Sequence, residues 1–134
     1  MQEQNLQTVF ALLTEWYHVY KRDLPWRRTK DPYDIWVSEI MLQQTRVEAV
    51  KPYFARFMEA LPTVQDLAEC EEERLLKLWE GLGYYSRVRN MQAAAKQVME
   101  EYDGKMPADH RALLRLKGIG PYTAGAVASI AFSL

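Results

Sequence analysis

Apolar positions in the first part of the chain fall on a helical period. Leu6, Val9, Phe10, Leu13, Trp16, Tyr17 and Tyr20 recur at steps of three and four, which predicts an amphipathic helix over roughly residues 5–21. Leu24-Pro25-Trp26 ends it and opens a loop. Asp31 reads as the N-cap and Pro32 as the first residue of a second helix, which carries Ile35, Trp36, Glu39, Ile40 and Met41. Thr45-Arg46-Val47-Glu48 fits a capping box and opens a third helix to about Leu61, which Pro52 should kink or divide. Thr63 caps a short helix, and residues 71–79 form another. After the break at Gly81-Leu82-Gly83, a long helix over 84–102 turns Val88, Met91, Ala95, Val98, Met99 and Tyr102 inward. Asp103-Gly104 closes it. Residues 109–116 and 121–132 complete the set. No strand alternation, repeat, linker or low-complexity tract appears, so the class is all-α with short connections.

The last two segments are joined by Leu116-Lys117-Gly118-Ile119-Gly120-Pro121-Tyr122-Thr123-Ala124-Gly125. Gly118 and Gly120 permit a tight turn and a close approach of another backbone. Pro121 suits the first helical position, where its missing N–H costs nothing. Such a hairpin turns unpaired helix N–H groups outward, which seats a phosphate.

Composition narrows the classes. At 134 residues, with 49% apolar and 26% charged residues, the chain is long enough for one hydrophobic core and is neither disordered nor a membrane span. A single cysteine, Cys70, excludes an intrachain disulfide and a cysteine-built metal cluster. The N-terminal Met1-Gln2-Glu3-Gln4-Asn5 lacks signal-peptide character, which points to the cytoplasm, or the nucleoid in a bacterium. Net charge is −1, so bulk charge does not suggest nucleic acid. Its distribution does: Lys21, Arg22, Arg27, Arg28 and Lys30 stand together, Arg87 and Arg89 follow Tyr84-Tyr85, and Arg111, Arg115 and Lys117 approach the hairpin. The segregation yields either one basic face or ordinary solvated helix surfaces.

Few residues carry candidate chemistry. Glu39 is the one acid in Trp36-Val37-Ser38-Glu39-Ile40-Met41-Leu42. Buried without a cationic partner, its carboxyl would be raised into the range of a general acid; on the polar face it would be an ordinary surface glutamate. Gln43-Gln44-Thr45 either reads a base edge or forms a polar helix end. Tyr84 and Tyr85 either supply an aromatic wedge between bases or pack in the core. Trp26 and Arg27 either line a pocket or staple a loop. His18 and His110 match no ligand spacing, and there is neither a Ser-His-Asp set nor a P-loop.

The hairpin resembles the helix-hairpin-helix of base-excision DNA glycosylases. Leu24-Pro25-Trp26-Arg27, Ser38-Glu39-Ile40-Met41-Leu42-Gln43-Gln44-Thr45 and Gly81-Leu82-Gly83-Tyr84-Tyr85-Ser86-Arg87 add a more specific likeness, to the adenine-specific DNA glycosylases of the MutY family. That resemblance implies removal of adenine mispaired with 8-oxoguanine or guanine in duplex DNA. It makes Glu39 the acid that protonates a flipped adenine and Tyr122 a catalytic-site hairpin residue near the sugar. It assigns Trp26, Arg27 and Leu42 to base binding, and Gln44 and Tyr84 to a wedge beside the 8-oxoguanine. Lys117, Gly118, Gly120 and Thr123 fall on the DNA backbone, and the carbonyls of Leu114, Leu116 and Ile119 on a monovalent-cation position of the superfamily. The endonuclease III branch carries a Schiff-base lysine where this chain has Tyr122, so the likeness is to the monofunctional branch.

The family's catalytic aspartate, the four cysteines of its [4Fe–4S] cluster and its lesion-recognition domain have no counterpart in this sequence. It therefore reads as an N-terminal fragment that holds no cofactor and is defective in catalysis alone. Residues 1–23 then form an N-terminal helix deprived of its cluster-domain partner, which favours self-association, and 24–134 form a six-helix barrel with the hairpin. The alternatives are a non-catalytic hairpin module that binds duplex DNA without base preference and a helical interaction domain with no DNA role. No membrane partner is expected.

Overall fold

A computed structural model describes residues 25–27, 29–43 and 45–133, without the Arg27 side chain. The expected helix over residues 5–21, with its proposed self-association, lies outside the described residues, as do Leu24, Gln44 and the Arg27 side chain. Among the described residues a short 3-10 turn, Pro25–Arg27, precedes seven α-helices: α1 (Pro32–Leu42), α2 (Val47–Ala60), α3 (Val64–Glu69), α4 (Glu72–Leu78), α5 (Tyr85–Glu101), α6 (His110–Leu114) and α7 (Pro121–Phe132). The described residues contain no strand.

Helix α1 is the centre. Asp31 accepts the Tyr33 N–H at 2.9 Å and Pro32 occupies the first turn, so the start follows the sequence signals. Tyr33 and every residue from Ile35 to Met41 are buried, including Ser38 and Glu39. A helix buried all round must be wrapped by others. The Pro25–Arg27 turn, α2 and α7 supply that wrapping. The Tyr33 hydroxyl donates to the Leu61 carbonyl at 2.7 Å and pins the start of α1 to the end of α2. Burial, with Asp34 and other acids nearby, pushes this phenol well above its ordinary value, so it stays a donor.

Helix α2 departs from expectation twice. Arg46, not Thr45, is its N-cap: the Arg46 carbonyl accepts from the Ala49 and Val50 N–H groups, each at 3.0 Å, and no side chain caps the end. Thr45 sits one residue too early for a capping box. The helix also runs unbroken through Pro52. Pro52 is exposed, so water can serve the carbonyl that the proline leaves without an amide. Helix α3 does carry a capping box: the Asp66 N–H donates to Thr63 Oγ1 at 3.2 Å and the Thr63 N–H to Asp66 Oδ2 at 3.1 Å.

On the far side α3 packs on α5, where Gln92 Nε2 donates to the Leu67 and Cys70 carbonyls at 3.2 and 2.6 Å. Helix α5 buries Val88, Met91, Ala94, Ala95 and Val98, close to the stripe read from its spacing. Trp36, Phe57 and Trp79 are the largest fully buried side chains, with Phe57 and Trp79 edge to face. Burial of each such side chain contributes roughly 1.5–3 kcal/mol. This core holds α1 still, and α1 carries the residues of interest.

Candidate functional site

Glu39 lies on α1 at 8% exposure, inside rather than on a polar surface. Leu42 ends the same helix half-buried. Trp26 reaches α1 from the preceding turn and is also buried, its ring edge to face with Phe54 at 5.4 Å between centroids. Trp26 is thus fixed by packing, whichever of its two sequence readings applies.

The hairpin arrives from the other side. Gly118 has φ +77°, and a Cβ there would lie 2.8 Å from Asn90 Cβ, so both conformation and space require glycine. The close approach is to the Asn90 side chain, not to another backbone. Gly120, by contrast, has φ −88° and open space around it; its role is N-cap of α7. Pro121 follows at the first helical position. Lys117 is exposed, and its N–H donates to Gln97 Oε1 at 2.8 Å. Tyr122 is 70% exposed on the first turn of α7.

Thr123 behaves otherwise than its backbone-binding assignment suggests. It is 1% exposed, and its Oγ1 accepts from Gln43 Nε2 at 3.3 Å. Its hydroxyl therefore locks the end of α1 to the start of α7, leaving the first-turn amide rather than the hydroxyl for a phosphate. Of the carbonyls named for a cation, that of Leu116 already accepts from the Ile119 N–H at 3.2 Å.

Tyr84 stands on the third side. It is the N-cap of α5, in left-handed geometry (φ 50°, ψ 59°), and is 64% exposed. A non-glycine residue there costs about 1–2 kcal/mol. The ring is presented outward rather than packed, and Tyr85 beside it is 40% exposed. Sequence reasoning noted Arg87 only as a neighbouring cation. Its Nη1 donates to the Ile40 carbonyl at 2.9 Å, and its guanidinium lies 5.2 Å from the Tyr84 ring centroid and 6.0 Å from that of Trp79. Burial pulls this guanidinium below the usual arginine value, opposed by Tyr84, yet it remains a cation at neutral pH.

Helix α1 is thus the shared neighbour of the Pro25–Arg27 turn, of α7 and, through Arg87, of the loop that carries Tyr84. A buried carboxyl on α1, an exposed aromatic held to it through Arg87 and a glycine-built hairpin leading into α7 are thereby brought to one part of the molecule. A [4Fe–4S] cluster does not fit these residues. Cys70 is the chain's one cysteine, half-buried, with its thiol donating to the Glu71 carbonyl at 3.4 Å. Among the described residues no group of three His, Cys, Asp or Glu converges.

Residues 37–130 match the family described as HhH-GPD superfamily base excision DNA repair protein. Adenine DNA glycosylases of Rattus norvegicus and Homo sapiens are each 50% identical over 129 residues, covering 90% of this chain but 25% and 24% of theirs. That of Buchnera aphidicola subsp. Baizongia pistaciae is 40% identical over 126 residues, covering 93% of this chain and 36% of its own. The chain thus spans between about a quarter and a third of these relatives' lengths. A thermostable thymine-DNA glycosylase structure superposes with a TM-score of 0.82 at 28% identity, covering 98% of this chain and 61% of that one. A trapped endonuclease III–DNA covalent intermediate has a TM-score of 0.80 at 22% identity, covering 99% and 62%, a likeness of fold.

Proposed function

Because the chain belongs to the HhH-GPD superfamily of base excision DNA repair proteins, we propose that it is the base-recognition and proton-donating part of an adenine DNA glycosylase. Its substrate is duplex DNA carrying adenine opposite 8-oxoguanine or guanine. The observation that carries this reading is the burial of Glu39 on the one helix that the Trp26 turn, the hairpin-led α7 and Arg87 all touch.

The chemistry follows from that placement. The target adenine leaves the stack, at a cost of a few kcal/mol, and enters beside α1. Tyr84 fills the gap in the duplex, and the hairpin amides with Lys117 hold the backbone. The Glu39 carboxyl donates its proton to a ring nitrogen of adenine, so the base departs neutral as the bond between C1′ and N9 breaks. Positive charge develops on the sugar, and water adds to C1′ with loss of a proton. Tyr122 carries no amine, so no Schiff base forms. One carboxylic acid for the leaving group and one carboxylate for the cation is the general requirement of glycoside chemistry. The sequence from His110 to Leu134 has no Asp or Glu, so the carboxylate for the cation does not come from the hairpin or α7.

The test is adenine release from a duplex with adenine opposite 8-oxoguanine, by the chain alone and mixed with the C-terminal portion of an adenine DNA glycosylase. Release by the chain alone should be at least about 10²–10³ slower than by the mixture. Equal affinity for damaged and undamaged duplexes, with no release in either case, would instead favour a hairpin module without base preference.

A further inference from the structure

Arg87 has more arranged around it than a surface cation needs. It sits in the first turn of α5, its N–H donating to the Tyr84 carbonyl at 2.9 Å. One edge of the guanidinium is tied to the Ile40 carbonyl of α1 at 2.9 Å, while its central carbon lies over the Tyr84 ring at 5.2 Å and the Trp79 ring at 6.0 Å. Its Nε and Nη2 are buried without a hydrogen-bond partner among the described residues, and so is Trp36 Nε1. Trp36 and Arg87, with Gln43, Asn90 and Gly118, line a cavity of about 30 Å³ between α1, α5 and the hairpin. That volume accommodates a water, which these donors and the Gln43 and Asn90 amides can hold.

We infer that Arg87 is a positioning residue for the Tyr84 wedge: it fixes the exposed ring relative to α1, so that insertion of the wedge and capture of the base occur in one register. The inference rests on the reading of Tyr84 as a wedge. Its physical basis is division of labour within one side chain. The guanidinium charge attracts the ring, while its Nη1 is anchored to the backbone one residue after Glu39. Arginine suits both tasks, because its forked donors let one nitrogen hold the carbonyl while the delocalised charge stays over the ring, whereas lysine is a single point charge. A ring held before DNA arrives gives up less freedom on binding, and preorganisation of this kind appears as affinity for the distorted duplex rather than for DNA in general. Trp79, buried and donating through Nε1 to the Gly83 carbonyl at 3.0 Å, backs the same loop and keeps Arg87 from swinging inward.

The test uses the full 134-residue chain and two readouts. The first needs no DNA: ring relaxation of ¹³C-labelled Tyr84 and the side-chain shifts of Arg87. Tyr84 should be restricted in the unsubstituted chain and freer in Arg87→Gln and Arg87→Lys, and the Arg87 Hδ signals should move in Tyr84→Ala by the Tyr84 part of their ring-current shift, the Trp79 part remaining. Tyr84 is exposed, so Tyr84→Ala leaves the fold intact even if an Arg87 variant does not fold. The second readout is the ratio of affinities for a duplex with adenine opposite 8-oxoguanine and an undamaged one. Both Arg87 variants should reduce this ratio about two- to fivefold, the range of an exposed cation–π contact, and should have no further effect in a Tyr84→Ala background. Unchanged Tyr84 motion in Arg87→Gln, or the same loss of preference with and without Tyr84, would overturn the inference. A chain that shows restricted Tyr84 but no lesion preference would overturn the functional reading and leave the Arg87–Tyr84 coupling standing.

Discussion

At the scale of residues, the decisive groups are polar atoms placed where water is excluded. Tyr33 is 3% exposed, and its hydroxyl is the bond that closes α1 on α2. Tyr33→Phe leaves the Leu61 carbonyl buried without that donor, which should destabilise the fold by about 1–3 kcal/mol in chemical denaturation. Glu39 is the counterpart in the proposed function. Glu39→Gln preserves volume and removes the proton donor, so duplex affinity should stay within about threefold while adenine release falls by about 10²–10⁴, read in the assay with the added C-terminal portion. Glu39 was visible in the sequence because an acid in an apolar helix stands out. The partners that organise its surroundings were not. Arg87 and Ile40 lie 47 residues apart and Gln43 and Thr123 lie 80 apart, so local periodicity carries no signal for either bond.

At the scale of elements, short-range rules worked where the chain obeys them alone. Asp31-Pro32 and Thr63 start α1 and α3 as their side chains dictate. Thr45 looked equivalent, yet the first helical bonds of α2 go to the Arg46 carbonyl, so the helix starts one residue later than a Thr45 cap requires. The hairpin separates its two glycines clearly. Gly118→Ala forces a side chain into left-handed geometry and against Asn90, and should cost about 1–3 kcal/mol and shift the hairpin. Gly120→Ala meets open space at φ −88° and loses only capping preference, about 1 kcal/mol or less. Thermal denaturation of the two variants side by side checks the order; equal losses would contradict the roles given to them.

At the scale of the whole molecule, 17 Lys and Arg against 18 Asp and Glu leave no net attraction for DNA, so binding has to come from placement. Lys117→Glu should weaken binding about equally on every duplex and flatten the dependence of log affinity on log salt by about one unit. The all-α class was legible from periodicity, because each helix buries apolar residues recurring along its length. Convergence on α1 was not, because it is a property of packing between segments far apart in sequence. The central claim is that this convergence reads an adenine opposite a damaged guanine. Its most direct test is competition binding of the 134-residue chain to three otherwise identical duplexes, carrying adenine opposite 8-oxoguanine, guanine or thymine. The account predicts about tenfold or greater preference for the first over the last, largely lost in Tyr84→Ala and retained in Lys117→Glu at lower overall affinity. Indistinguishable affinity for all three duplexes, unchanged by Tyr84→Ala, would contradict it.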